Sequence, residues 1–315
     1  MDIKTLIVQR LISLILVMVG ASILIFIVIR VLPGDPIASI LGMDASSETV
    51  TRMQVELGLD QPLPVQYWQW LTDALRGDFG NSFTFKLPVA QTLSDRFPRT
   101  VILSLASITV AFAIAVPAGI VAARFKGRAP DHLARLAALI GLSMPAFWLG
   151  LLLIFTFGVQ LQLLPTSGFV WPSEDPLESL RHLILPAITL GTAYAGTIMR
   201  MLRASLIDIL ARDYILAGRA AGIPERRLLW HDALRNAMVP TLTVAGFAFG
   251  VMLSGTVLTE VIFNIPGIGR LLFEGILSRD YPLVQAIVLL NVLLFIGINF
   301  IVDILYIALD PRLRG

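Results

Sequence analysis

Residues 203–240 read RASLIDILARDYILAGRAAGIPERRLLWHDALRNAMVP. This is the longest polar interruption in the second half of a very apolar chain, so its reading decides how the flanking segments cross a membrane. Leu206, Ile209, Leu210, Ile215 and Leu216 recur at roughly helical spacing, which predicts one amphipathic helix over the first half. Gly222 followed by Pro224 predicts its end: glycine accepts the left-handed cap, and proline cannot continue the helix. Pro224 is also placed to start a second helix, with Glu225 in its first turn. The expected form is helix, sharp bend, helix. Ala217, Gly218, Ala220, Ala221 and Gly222 would give the bend a small-residue surface open to another protein's cleft. On composition alone, a basic helix lying at the lipid surface accounts for the stretch better.

The rest of the chain fixes the class. Of 315 residues, 56% are hydrophobic and only 15% charged, and the mean hydropathy is +0.81. A soluble domain of this length carries far more charge, so this is an integral membrane protein. There is no cysteine, which excludes disulfides and thiolate metal sites. His132, His182 and His231 are scattered without metal-ligand spacing and read as surface or interfacial residues. The pI near 9.1 reflects arginines beside membrane spans, not a nucleic-acid surface.

Leu11–Ile29 is uncharged and long enough to span a bilayer, so it is expected as a retained first span. Residues 31–99 form a long polar segment. It opens with the turn cluster Leu32-Pro33-Gly34-Asp35-Pro36, and short helices are expected around Glu48–Leu57 and Val65–Leu75. Its aromatics, Tyr67, Trp68, Trp70, Phe79, Phe83 and Phe85, suit a small core or, better, a membrane interface. Further spans are expected at Thr100–Ala123 (kinked at Pro117), Leu136–Leu164 (broken near Ser143-Met144-Pro145), Leu183–Met199, Ala237–Thr259 and within Tyr281–Leu309.

The result is an all-α polytopic protein of six transmembrane helices, with both ends on one side. Assigning the N-terminus inside places fifteen basic residues there, seven of them in Arg200–Arg235; the two short opposite loops hold only Arg181, Arg270 and Arg279. Basic loops stay on the cytoplasmic side, so both termini and residues 203–240 are expected there.

No phosphate-binding loop exists: Lys4, Lys86 and Lys126 are the only lysines, and none follows a glycine as such a loop requires. Polar groups at membrane depth are the next candidates. Asn291, Asn299 and Asp303 lie on the sixth span and Glu260 ends the fifth. The plain alternatives are that Asp303 pairs with Arg200 or Arg203, that the asparagines bond across helices, and that Glu260 sits at the outer interface. Pro266-Gly267-Ile268-Gly269 is a turn at the mouth of the fifth span. With Glu260 it is a candidate outer gate or contact for a binding protein, and equally a connector that only shapes the fold.

Residues 203–240 resemble the cytoplasmic coupling loop of bacterial ABC importer permeases, in the dipeptide, oligopeptide and nickel family. Many such permeases carry Glu-Ala-Ala, three residues, then Gly. Aligned on Gly222, this chain has Leu216-Ala217-Gly218, so Ala217 and Gly222 carry over directly and the Glu is absent. Asp213-Tyr214 and Ala233-Leu234-Arg235-Asn236 resemble the peptide-permease branch. LPGDP at 32–36 and RGDFGNSF at 76–83 resemble the first permease subunit. Glu260–Leu271, Arg279-Asp280-Tyr281-Pro282 and the Asp303–Arg312 ending resemble further family motifs.

The resemblance implies a type I, MetI-like permease fold and a non-catalytic subunit of an ATP-driven importer in the bacterial inner membrane. Residues 1–30 would be the N-terminus and first span, 31–99 an extracytoplasmic loop with a small helical subdomain, and 100–315 the permease core. It assigns ATPase coupling to Tyr214, Ala217, Gly218, Ala220, Ala221, Gly222, Ile223 and Pro224. It implies a homologous second permease, two ABC ATPase chains that bind ATP and Mg, and an extracytoplasmic solute-binding protein. The implied cargo is a dipeptide, oligopeptide or similar small solute. The rival from another class is an ion-coupled transporter or channel that relays through Asp303.

Overall fold

The computed structural model describes residues 3–31, 55 and 60–309. Among them all regular structure is helical, and one isolated antiparallel bridge joins Asn81 to Pro88. The first helix, α1, is Ile3–Val31, and α2 is Leu63–Leu75. Helix α3 is Val89–Arg124. Next come α4 (Ala129–Ser143) and α5 (Ala146–Leu153), the latter continued by a π-helical turn at Ile154–Gln160. Helix α6 is Pro176–Leu210 and α7 is Asp213–Ala220. Helix α8 (Glu225–Arg227) runs through a π-helical turn, Leu228–Ala233, into α9 (Leu234–Gly255). Short helices α10 (Val257–Ile262) and α11 (Ile268–Leu277) precede α12 (Tyr281–Leu309).

Four described helices are long and apolar enough to cross a membrane: Val89–Arg124, Pro176–Leu210, Glu225–Ser254 and Tyr281–Val302. The legs Ala129–Ser143 and Ala146–Gln160 meet at 97° and make a fifth if they are one broken span. The break falls at the expected Ser143-Met144-Pro145, where proline disfavours helical backbone before it. The expected count of six therefore also requires α1, whose described side chains form the apolar run Ile12–Val28.

Several boundaries differ from the sequence expectation. Helix α3 begins at Val89, eleven residues before the expected span, and holds Pro98 as well as Pro117. The fourth span runs on to Leu210, so residues 203–210 are its last turns. The expected single helix from Arg203 to its stop at Gly222 is therefore two. The chain turns at Ala211 and Arg212, and Arg212 is extended at the start of α7. The fifth span stops at Gly255-Thr256 and a new helix starts at Val257. The expected helix at Glu48–Leu57 and the LPGDP cluster lie outside the described residues, apart from Val55.

The core is built on α3 against α6. A Cβ on Gly191 of α6 would lie 2.6 Å from the Ser107 carbonyl oxygen of α3, so the two backbones touch where glycine allows it. Membrane helices associate through such small-residue contacts because lipid gives no hydrophobic drive between them. Two of the aromatics expected at an interface form a small core on α1: the Phe26 ring meets Tyr67 edge-on at 5.3 Å, and Tyr67 lies 6.1 Å from Trp70. Trp68 stays exposed.

Candidate functional site

Residues 211–240 fold into an elbow at one end of the bundle. Gly222 has φ +80°, with open space where a Cβ would stand, so its backbone needs glycine but its surroundings do not. The Gly222 N–H donates to the Arg219 carbonyl and the Ile223 N–H to the Gly218 carbonyl, each at 3.0 Å, which closes the end of α7 as a glycine cap. Pro224 then precedes α8, with Glu225 in its first turn. The bend is as expected; what braces it is not visible in the sequence. The Arg219 guanidinium holds the Glu225 carboxylate at 2.6 and 3.3 Å across the bend. Ile215 and Leu228 are buried together with Leu206 and Ile209 of α6 and Ala123 of α3. The split apolar stripe thus still faces one core.

Of the residues assigned to coupling, Tyr214, Ala217, Ala220, Ala221, Gly222, Ile223 and Pro224 are exposed. Gly218 is the exception. It is buried, and a Cβ there would stand 2.8 Å from Leu228 Cδ2, so it belongs to the internal packing and not to the small-residue surface. At 100° per residue, Tyr214, Ala217 and Ala221 share one side of the α7 turn, while Leu216 and Arg219 share another. The Tyr214 hydroxyl accepts from Asn236 Nδ2 at 3.4 Å, which orients that first side against α9.

Just before the elbow, Arg203 of α6 donates through Nε and Nη2 to the two oxygens of Asp131 on α4, at 2.6 and 2.7 Å. Asp131 is 1% exposed and also accepts from the Gly127 N–H at 2.9 Å. A paired carboxylate can be buried this way because every charge finds a partner; alone it could not. Arg203 is thus engaged by Asp131; the side chain of Asp303, the partner expected from the sequence, lies outside the described residues. Asp131 gave no sequence signal beyond a helix-starting Pro-Asp pair, and its partner lies 72 positions on.

Glu260 stands at the far end of the bundle and is fully buried within the protein. Its Oε1 accepts from the hydroxyls of Thr100 and Thr256, each at 2.7 Å, and its Oε2 from the Arg270 N–H at 2.9 Å. Thr100 in turn accepts from the Ile268 N–H at 2.9 Å. A Cβ on Gly267 would collide with the Glu260 carboxylate, and one on Gly269 would lie 2.7 Å from the Val257 nitrogen. The Glu260–Gly269 motif is thus a carboxylate folded into its own glycine turn and sewn to α3. Gly267 and Gly269 are buried with it, and only Pro266 is partly exposed.

A second carboxylate does similar work nearby. Asp280, fully buried, accepts from Ser82 Oγ at 2.5 Å and the Thr84 N–H at 2.9 Å. That joins the RGDFGNSF stretch to the RDYP stretch. Asn291 bonds across helices, as expected: its Nδ2 donates to the Ser254 carbonyl and Ser254 Oγ donates to the Asn291 carbonyl, each at 3.2 Å. Asn299 instead donates to Phe295 of its own helix at 2.8 Å.

Residues 115–315 match the family model described as "Binding-protein-dependent transport system inner membrane component", and residues 3–106 match the model of the N-terminal part of such components. The chain is 42% identical over 308 residues to the glutathione transport system permease protein GsiC of Escherichia coli (strain K12), covering 98% of each protein. The GsiC of Shigella flexneri serotype 5b matches at the same identity and coverage. Among solved structures the fold is similar to an inward-facing crystal form of the MetNI methionine ABC transporter, with TM-score 0.55 and 18% identity, over 70% of this chain and 97% of that one.

Proposed function

The chain belongs to the family of binding-protein-dependent transport system inner membrane components, and on that premise we propose that its elbow, residues 211–240, is where ATPase partners drive it. It is a multi-pass, non-catalytic permease subunit of an ABC importer. The observation that carries the coupling role is the join between elbow and membrane. The exposed Tyr214–Ala217–Ala221 side belongs to α7, whose Ile215 is buried with Leu206 and Ile209 of α6, and Arg203 clamps α6 to α4 through Asp131. A push on such an element moves spans as a body, the usual route of amplification in switching proteins.

The partners in this reading are a homologous second permease, two ABC ATPase chains that bind ATP and Mg, and an extracytoplasmic binding protein. The elbow and both termini face the cytoplasm, in keeping with the basic loops. The cargo is glutathione or a small peptide of similar chemistry, in line with the 42% identity to the GsiC permeases. The ion-coupled alternative built on Asp303 draws no support from this family.

The deciding experiment is affinity purification of the intact complex with an ATPase assay, comparing wild type with Ala217→Arg. Ala217 is exposed and helical, so arginine there blocks docking without straining the backbone. ATPase chains should accompany the wild type and be lost from the variant. A wild type that never brings down an ATPase would defeat the proposal. Glutathione delivered by the cognate binding protein should raise ATP turnover; no response to it, with a response to another peptide, would reassign the cargo alone.

A further inference from the structure

The inner side of the elbow borders a half-open cavity of about 850 Å3. Its apolar lining is Leu210 from the end of α6, Leu216 of α7, Leu229 from the π-helical turn, and Ala123 from the end of α3. Its rim is cationic, with Arg124, Lys126 and Arg226 around the opening. All three are exposed and none has a carboxylate partner among the described residues. The one acid in the wall, Glu225, is already held by Arg219. The cavity thus combines three uncompensated positive charges with a hydrophobic base, and the exposed indole of Trp230, 54% accessible, stands beside them.

Its position is equally specific. Ala123 and Arg124 close one apolar span and Leu210 closes another, so the opening lies where two membrane helices end. Basic pockets at such a boundary suit anionic lipid headgroups, and tryptophan favours the same depth. The cavity uses the Leu216 and Arg219 side of α7, not the Tyr214–Ala217–Ala221 side, so an occupant here would leave the proposed coupling face free.

We propose that this cavity binds an anionic phospholipid, with its phosphate on Arg124, Lys126 and Arg226 and its glycerol and upper acyl carbons on the apolar lining of Leu210, Leu216 and Leu229. The lipid fills the hollow between elbow and bundle, and ties the elbow to the membrane whether or not an ATPase engages it.

The test uses the full chain in its native complex, placed in nanodiscs of phosphatidylethanolamine with or without phosphatidylglycerol. Bound lipid per complex is read by native mass spectrometry, together with the partner chains retained. Wild type should hold phosphatidylglycerol selectively. Arg124→Gln, Lys126→Gln and Arg226→Gln should each weaken retention about fivefold, and the triple variant on the order of a hundredfold. The charge-conserving Arg226→Lys should keep most of it, which separates lost charge from a disturbed fold. Equal retention by wild type and the single variants would overturn the proposal. Displacement of the lipid by inorganic phosphate alone would assign the cavity to a soluble anion and overturn the lipid. Loss of a partner chain with unchanged lipid would make the cavity a protein-docking surface instead.

Discussion

Arg203 and Asp131, 72 positions apart, meet in a two-bond ion pair of 2.6 and 2.7 Å that joins α6 to α4 beside the elbow. Asp131 is almost wholly buried and Arg203 about one-fifth exposed, so neither charge is replaced cheaply by water. Removing one partner of a buried pair costs ~3–5 kcal/mol, because the other charge is left uncompensated. Arg203→Gln should lower thermal stability in detergent and reduce transport more than ATP turnover, since the elbow would no longer carry α4 with α6. Equal loss of both activities without loss of stability would deny the clamp its transmitting role. The double variant Arg203→Leu with Asp131→Leu should recover stability but not coupling.

Gly222 separates two effects that one substitution would confuse. Its φ of +80° makes any side chain there strained by ~1–2 kcal/mol, although there is room for it. Gly222→Ala should therefore soften the elbow yet keep the ATPase chains bound. Ala217→Arg should keep the fold and lose them. Matching behaviour of the two variants in pull-down would show that shape, not surface, governs docking.

Gly218 makes the opposite demand, for space. A methyl group there would press on Leu228 at 2.8 Å, and overpacking of this kind costs ~1–3 kcal/mol. Gly218→Ala should increase hydrogen exchange across residues 213–230. Leu228→Val added to it should restore protection; an unrepaired double variant would mean the strain lies elsewhere.

The Glu260 cradle should behave as a structural lock. Glu260→Ala strands the hydroxyls of Thr100 and Thr256 and the Arg270 N–H, at ~1–3 kcal/mol for each donor left without a partner. Glu260→Gln keeps acceptor capacity on one oxygen and should lose much less. A thermal-shift series in detergent, Glu260→Gln against Glu260→Ala and Gly267→Ala, checks this. If Glu260→Gln is as damaging as Glu260→Ala, the negative charge itself is what the fold requires.

Ser82 and Asp280 test the second carboxylate. Ser82→Ala removes the 2.5 Å bond but leaves the Thr84 N–H in place, so the 76–88 loop should loosen locally. Faster proteolysis in that loop, with spans intact, is the expected sign. Unchanged cleavage would show that the Thr84 bonds and the packing of Phe79 and Phe85 hold the loop without the Ser82 hydroxyl.

Features that depend on neighbours along the chain are legible in the amino-acid order. Uncharged runs set where α3, α6, α9 and α12 cross, Pro145 broke the third segment, and Gly222 with Pro224 bent the elbow, because chain length, proline sterics and glycine φ act within a few residues. The helix joint at Ala211-Arg212 leaves no mark in the sequence because the apolar spacing continues through it; only the burial of Ile215 together with Leu206 and Leu228 shows that the stripe is folded. Tertiary structure alone decided which charge met which. Arg203 could have paired with several acids, and Glu260 could have faced water. Their partners come from α4 and α3, and a long-range pair leaves no spacing in the chain to read.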